Sequence, residues 1–257
     1  MLKIRRLNMD SSWQITWAGQ SLLIDPWLIG AETDFSRYFN KQWHVTPPAQ
    51  IDSLEHFDAV LISQHFSDHC HEETLKKLDP GCVLTTPKGA QRIRKTISKE
   101  NIRVIADLSS DHWTKQGDLE ICLLPAAKKL KASFNGIIIR HQNQIIMYCP
   151  HGYELTTIQL QLLKAFETVL LMTSFSTFKL PFFLGGAVNP GMEQAQKLIQ
   201  ATQPKFLLAA HDEDKHASGL IKKMAQVSYP SVHELTGHFP DQFIDLYDTN
   251  KTMEIPC

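Results

Sequence analysis

The residues best able to do chemistry lie in one short run, Ser63-Gln64-His65-Phe66-Ser67-Asp68-His69-Cys70-His71. Imidazole and carboxylate groups are the ligands that zinc, iron and manganese accept in proteins. A simpler interpretation is that Asp68 or His69 only caps the helix that follows. Because three histidines and an aspartate crowd together here, we favour a metal site with Asp68, His69 and His71 as candidate ligands.

Two more histidines follow apolar runs elsewhere in the chain. His211 opens an acidic run after residues 205–210, and His151 lies in a Cys-Pro-His-Gly turn after residues 144–148. Either could be a ligand, and Asp212 could accept a proton from an attacking water. The alternatives are a solvated acidic turn and a structural turn with an exposed histidine.

A thiol mechanism is a different possibility. Cys70 and Cys149 each have a histidine nearby, and a thiol paired with imidazole can act as a nucleophile. Neighbouring residues on a strand point to opposite faces, so such a pair would have to form across strands. The sequence has no GxxxxGK[ST] loop, no GxGxxG after a strand and no GxSxG elbow, which disfavours nucleotide-binding and serine-hydrolase chemistry.

Strands must deliver these side chains to one place. A hairpin is predicted at 13–17 and 21–25, and a buried apolar strand at 57–63 leads directly into the histidine run. Strands of one sheet place their ends along one rim, so histidines after separate strands can converge there. Asp25, at the end of the hairpin, could orient a ligand. Further strands are predicted at 82–86, 102–105, 118–124, 136–140, 144–148, 168–172 and 205–210, and helices at 72–78, 89–99, 156–166 and 192–202.

Two segments are predicted to be loops. Residues 27–48 are aromatic and polar without a clear period, which indicates a long loop with at most one helical turn. Residues 181–191 include the pair Gly185-Gly186 and Pro190, and we expect an ordered loop over the site. The order of strands and helices predicts two packed sheets with helices outside, in a single domain over residues 1–257.

Composition excludes several classes of protein. The 257 residues carry 26 basic and 27 acidic side chains, a net charge of -1, so neither nucleic acid nor an anionic membrane is an expected partner. No window approaches the roughly 18 apolar residues of a membrane span, and no secretory signal is expected. The 5 cysteines are dispersed, which favours a reducing cytoplasmic setting.

The chain resembles the metallo-β-lactamase superfamily from about Trp13 to Leu220. The matching features are the hairpin ending in Leu23-Ile24-Asp25-Pro26-Trp27, the strand that delivers Asp68-His69, and the strands before His151 and His211. This resemblance implies an α/β fold, an αββα four-layer sandwich of two mixed sheets flanked by helices. It also implies a metal site at the sheet edges and hydrolysis of phosphoesters, phospholipids or lactones.

The first motif departs from the family pattern HxHxDH. Gln64 and Phe66 occupy the places of its first two histidines, and no histidine lies near 126–129, where the third ligand of the first metal is expected. The second site is preserved in part, because its ligands map to Asp68, His69 and His211. His151 falls near the place of the bridging carboxylate and could substitute for it, and His71 could compensate further.

We therefore expect a metal-dependent hydrolase with a reduced, mononuclear site that activates water for ester, phosphoester or lactone cleavage. Asp68 and Asp212 are the expected catalytic carboxylates. The expected metal ligands are Asp68, His69, His71, His151 and His211. Zinc is the favoured ion, with iron or manganese as alternatives. The substrate is expected to be a small molecule. The alternative is a catalytically inactive binding or structural protein on the same fold.

Overall fold

The computed structural model describes residues 1–34, 36–108, 112–125, 134–184, 186–211 and 215–257. Two seven-stranded mixed sheets dominate this part of the chain. In chain order the strands are β1 (Leu2–Arg6), β2 (Trp13–Trp17), β3 (Gln20–Ile24), β4 (Glu32–Asp34), β5 (Asn40–His44), β6 (Ala59–Ile62), β7 (Val83–Thr85), β8 (Ile102–Val104), β9 (Ala106–Asp107), β10 (Thr114–Gln116), β11 (Leu119–Leu124), β12 (Gly136–His141), β13 (Gln144–Cys149), β14 (Glu167–Thr173), β15 (Thr177–Lys179), β16 (Ala187–Pro190), β17 (Phe206–Ala209), β18 (Lys215–Ser218), β19 (Gln226–Ser228) and β20 (Thr252–Ile255).

The first sheet has the order β20-β1-β2-β3-β6-β7-β8, and the second has the order β10-β11-β12-β13-β14-β17 with β9 beside β11. Each sheet is antiparallel on one side and parallel on the other. The parallel parts are β3-β6-β7-β8 and β13-β14-β17. Because parallel strands end at the same sheet edge, the loops after β6, β13 and β17 are the natural place for a site.

Helices cover the outer faces of both large sheets. They are α1 (Glu72–Leu78), α2 (Pro87–Ile93), α3 (Thr157–Leu163), α4 (Met192–Thr202) and α6 (Val232–His238), whereas α5 (Leu220–Met224) packs against β5 and β18. One apolar cluster fills the space between the sheets, a second lies under α3, α4 and α6, and a third lies under α1 and α2. The αββα sandwich is therefore confirmed. None of the described helices is long and apolar enough to cross a bilayer.

The strand β6 illustrates why the apolar runs were good predictors. Its residues Ala59 and Leu61 belong to the cluster between the sheets, whereas Val60 and Ile62 belong to the cluster under α1. A strand buried on both faces must be apolar throughout, so it stands out in the sequence. The chain then reaches the sheet edge and leaves the core with the polar residues from Ser63 onward.

The prediction of a loop at 27–48 was wrong. The segment contains β4 and β5, which pair with each other and with β18 in a small third sheet. The buried positions of β4 and β5 are polar, with Glu32, Asn40 and Gln42 all buried. Since the inward face is not apolar, the hydrophobic alternation that reveals a strand is absent here. The helix predicted at 89–99 is also shorter than expected and ends at Ile93.

One half-buried histidine of this small sheet should make stability depend on pH. The Nε2–H group of His44 donates to the Trp27 carbonyl at 3.1 Å. The ring centroids of His44 and Trp27 lie 3.9 Å apart. Burial lowers the pKa of His44 from 6.5 to about 4. Between these two pH values the unfolded chain is protonated at His44 and the folded chain is not. The free energy of unfolding is therefore highest above pH 6.5 and decreases as the pH falls toward 4.

The substitution His44→Gln keeps an amide donor for the Trp27 carbonyl and removes the titrating group. We expect the free energy of unfolding, measured in denaturant between pH 7.5 and about 5, to fall less steeply for this variant than for the wild type. His56→Gln is the control, since the His56 side chain is 86% exposed. An unchanged slope in His44→Gln would contradict this assignment.

Candidate metal centre

Three histidines converge where the two sheets meet. His69 comes from the loop after β6 in the first sheet, whereas His151 and His211 follow β13 and β17 in the second sheet. All three rings are buried, and their centroids lie 4.9 Å (His69–His151), 4.6 Å (His151–His211) and 5.3 Å (His69–His211) apart. The rim that brings them together is thus shared by both sheets, not formed by one sheet as expected from the sequence.

His69 is held by the carboxylate of Asp25. The Nδ1 atom of His69 lies 2.7 Å from Asp25 Oδ2, and both side chains are completely buried. Asp25 also accepts hydrogen bonds from the Ser63 backbone N–H and hydroxyl at 2.7 and 2.5 Å, and from the Tyr148 hydroxyl at 2.8 Å. Four donors therefore fix this carboxylate, which in turn fixes the orientation of the His69 ring.

His151 is held by an amide from the segment expected to cover the site. Its Nδ1 atom lies 2.8 Å from Asn189 Oδ1, in β16. The Asn189 amide nitrogen donates to Ser176 Oγ at 3.2 Å, and Ser176 Oγ and Ser174 Oγ each contact the His211 carbonyl at 3.2 Å. One chain of hydrogen bonds therefore links the His151 ring to the backbone of His211.

His211 has a carboxylate behind it as well. Its Nδ1 atom lies 3.3 Å from Asp10 Oδ1, and Asp10 is completely buried. The backbone just before His211 is fixed by Arg6, whose guanidinium donates to the Ala209 carbonyl and stacks on Trp13. All three histidines therefore have Nδ1 directed at an oxygen atom.

Because the Nδ1 atom of each histidine faces its oxygen partner, the Nε2 atom of each ring faces the middle of the cluster. The Nε2 atoms of His69 and His151 lie only 2.9 Å apart. Since the Nδ1 atom of each ring carries the hydrogen that its oxygen partner needs, two neutral rings would direct lone pairs at each other. A cation between them removes this repulsion, and zinc with bonds of about 2.0 Å would hold two such nitrogens about 3.3 Å apart. The donor set therefore fits a divalent metal ion.

The pKa directions agree with a site that binds either a proton or a metal ion. Burial lowers the pKa of His69, but the carboxylates of Asp68 and Asp25 outweigh burial and raise it. Burial, together with the charges of His211 and His69, holds the pKa of His151 well below its usual range. One proton on His69 can thus bridge the pair in the metal-free protein, and a metal ion would displace that proton.

A carboxylate oxygen of Asp68 lies beside the histidine cluster. Its Oδ2 atom lies 3.5 Å from His211 Nε2 and 3.9 Å from His69 Nε2. Burial raises the pKa of Asp68, but the charges of His69 and Lys215 and the contact with His211 outweigh burial and hold the pKa well below its usual range. The carboxylate is therefore ionised at neutral pH and available as a ligand.

One predicted site residue, His71, is not part of this cluster, and another, Asp212, lies outside the described residues. His71 is the N-cap of α1, where its Nδ1 atom accepts a hydrogen bond from the Thr74 backbone N–H at 3.2 Å, and it is absent from the metal-compatible clusters of the described residues. The expectation that His71 adds a ligand therefore has no support, because the ring caps a helix instead. Asp212 lies outside the described residues, and its role stays a prediction.

The thiols have the wrong environment for nucleophiles. Cys70 and Cys149 are completely buried, and burial raises the pKa of each to about 12. A thiol with such a pKa is almost fully protonated at neutral pH. Burial therefore disfavours the thiol mechanism.

Gln64 and Phe66, which the sequence resemblance aligns with the first two histidines of the family pattern, contact residues 135 and 134. Gln64 Nε2 donates to the Asn135 carbonyl at 2.7 Å, and the ring centroids of Phe66 and Phe134 lie 5.6 Å apart. Phe134 lies directly on His151, with centroids 3.8 Å apart. These two substitutions therefore hold residues 134 and 135 against the centre and give it an apolar wall.

Several functional residues were missed by sequence reasoning. Asp10, Asn189 and Lys215 were not singled out, although all three contact the predicted ligands. Asp10 and Asn189 lie in polar segments that resemble ordinary turns. Only Lys215 had a signal, since it lies in the same charged run as His211.

Taken together, the fold and the centre define a class of αββα proteins that carry a histidine and aspartate metal site where two sheets meet. The chain belongs to the β-lactamase superfamily, because the family model described as "Beta-lactamase superfamily domain" matches residues 8–211. This family assignment agrees with the metallo-β-lactamase resemblance of the sequence. No curated protein matches the sequence.

Solved structures with the same fold include several enzymes. The isothiocyanate hydrolase from Delia radicum gut bacteria is 19% identical, with a TM-score of 0.67 over 99% of this chain and 100% of that one. A possible metal-dependent hydrolase from Veillonella parvula is 13% identical, with a TM-score of 0.67 over 98% of both chains. CmlA, a diiron β-hydroxylase from Streptomyces venezuelae, is 15% identical, with a TM-score of 0.59 over 81% of this chain and 44% of that one. At these identities the similarity concerns the fold.

Proposed function

We propose that this protein is a metal-dependent hydrolase that uses one divalent ion to cleave ester, lactone or phosphoester bonds in small molecules. The observation that carries the proposal is the pair of imidazole Nε2 atoms 2.9 Å apart, each on a ring whose Nδ1 faces an oxygen atom. Without a metal ion, the pair depends on a proton on His69 to bridge its two nitrogens, so the arrangement calls for a cation in either case.

The ion would be held by His69, His151, His211 and Asp68. Three nitrogens and one oxygen suit zinc, and iron or manganese are alternatives. When bound, such an ion polarises a carbonyl or phosphoryl oxygen and lowers the pKa of water to about 7. Its structural relatives include proteins named as a possible metal-dependent hydrolase and as a diiron enzyme, which supports both the activity and the range of metals.

Side chains of the protein would accept the proton of the water and position the substrate. Asp68 is the most accessible of the proposed ligands, with 15% of its side chain exposed, so its ionised carboxylate can take up a proton from the attacking water. Asp212 is the second candidate acceptor. The wall formed by Phe66 and Phe134 would pack against an apolar group of the substrate next to the bond that is cleaved.

The proposal is tested by removing and restoring the metal. We expect purified protein to hydrolyse at least one member of a panel of aryl esters, lactones and aryl phosphodiesters. Activity should disappear after chelation and return with zinc, manganese or ferrous ion. Protein that contains less than about a tenth of an equivalent of metal, and whose activity is indifferent to chelator, would contradict the proposal.

A further inference from the structure

A buried ammonium group lies beside the metal centre. Lys215, the first residue of β18, has only 5% of its side chain exposed. Its Nζ atom lies 3.3 Å from Asp10 Oδ2 and 3.5 Å from Asp68 Oδ2. Asp10, Asp68 and His211 bring potential ligand atoms within 4.8 Å of one another, so they form a second metal-compatible cluster that shares His211 with the first.

The charges of the centre explain why a lysine is needed there. Among the described residues, three carboxylates contact the three histidines, namely Asp10, Asp25 and Asp68. These three carry three negative charges, one more than a single divalent ion balances, and an uncompensated buried charge is strongly destabilising. The ammonium group of Lys215 supplies the missing positive charge at the two carboxylates that it contacts.

We propose that Lys215 occupies the position of a second cation and so keeps this centre mononuclear. The inference rests on the proposed function, because it assumes that the histidines hold one ion. Lys215 acts as a positioning residue: it contacts the ligand Asp68 and the carboxylate behind His211.

The experiment compares the zinc bound per chain in wild-type protein and in Lys215→Ala, measured by elemental analysis after dialysis against micromolar zinc. We expect one equivalent in the wild type. The variant should bind two, because its shortened side chain leaves both space and uncompensated carboxylates at Asp10 and Asp68. Lys215→Arg keeps the charge and should bind one. Lys222→Ala is the matched control, since Lys222 is exposed and lines the same cavity of about 200 Å³ as Lys215.

A second variant covers the case in which Lys215→Ala does not fold. The double variant Lys215→Ala/Asp10→Asn removes one positive and one negative charge together, and we expect it to fold and to bind one equivalent of zinc. Two equivalents in the double variant, or one in a folded Lys215→Ala, would overturn the inference and leave the proposed function intact. Wild-type protein without zinc would overturn both.

Discussion

Replacing His151 with alanine is expected to remove the metal and to reduce hydrolysis by at least about 10³-fold, which corresponds to about 4 kcal/mol of lost transition-state stabilisation. The expectation follows from the position of its Nε2 atom, 2.9 Å from that of His69. His151 is the best ligand to remove because the residue behind it, Asn189, is neutral. Removing the His151 ring therefore leaves no buried charged group without a partner.

Metal content and rate should be measured on the same preparation of His151→Ala. Metal is expected to fall below about a tenth of an equivalent, while thermal unfolding shows that the variant remains folded. His56→Ala serves as the control, because this histidine lies far out in solvent with 86% of its side chain exposed. A His151→Ala protein that keeps a full equivalent of metal would show that the ring is not a ligand.

The second large effect is expected at Asp25, although Asp25 does not face the metal position. Asp25→Asn retains the size of the side chain and tolerates the left-handed backbone at this position, where φ is 45°. The substitution removes the negative charge opposite His69. It also places an amide N–H group among hydrogen-bond donors that in the wild type meet a carboxylate oxygen. We expect metal affinity to fall by about 10- to 100-fold and the free energy of unfolding to fall by about 3 kcal/mol.

Metal competition with a chromophoric chelator and denaturant unfolding measure the two effects of Asp25→Asn. Tyr148→Phe is a graded comparison, since it removes one hydrogen bond to Asp25 and should cost only about 1 kcal/mol. If Asp25→Asn binds metal as tightly as the wild type, the carboxylate does not orient His69 for a metal ion.

The sequence was most informative where a strand is buried on both faces. The apolar run at β6 and those at β13 and β17 revealed both the strands and the histidines at their ends, because only a side chain directly after such a run stands out from its surroundings. The αββα architecture followed from the order of these runs and from the family resemblance.

The small third sheet and the residues behind the histidines could not be predicted in the same way. β5 carries polar residues on its buried face, and its partner β18 lies far away in the chain, so neither periodicity nor proximity reveals the pair. Asp10 and Asn189 contact candidate ligands that come from distant positions in the chain. Such contacts depend on how two sheets pack, and one sequence contains no local signal for that packing.

We propose that His69, His151, His211 and Asp68 together bind one metal ion. Anomalous X-ray diffraction from crystals of zinc-loaded protein, recorded on both sides of the zinc absorption edge, would locate that ion. We expect one anomalous peak, with bonds of about 2.0–2.2 Å to the three Nε2 atoms and to the Asp68 carboxylate. No peak between these side chains, or a peak whose ligands lie elsewhere, would show that the proposed centre does not bind the metal.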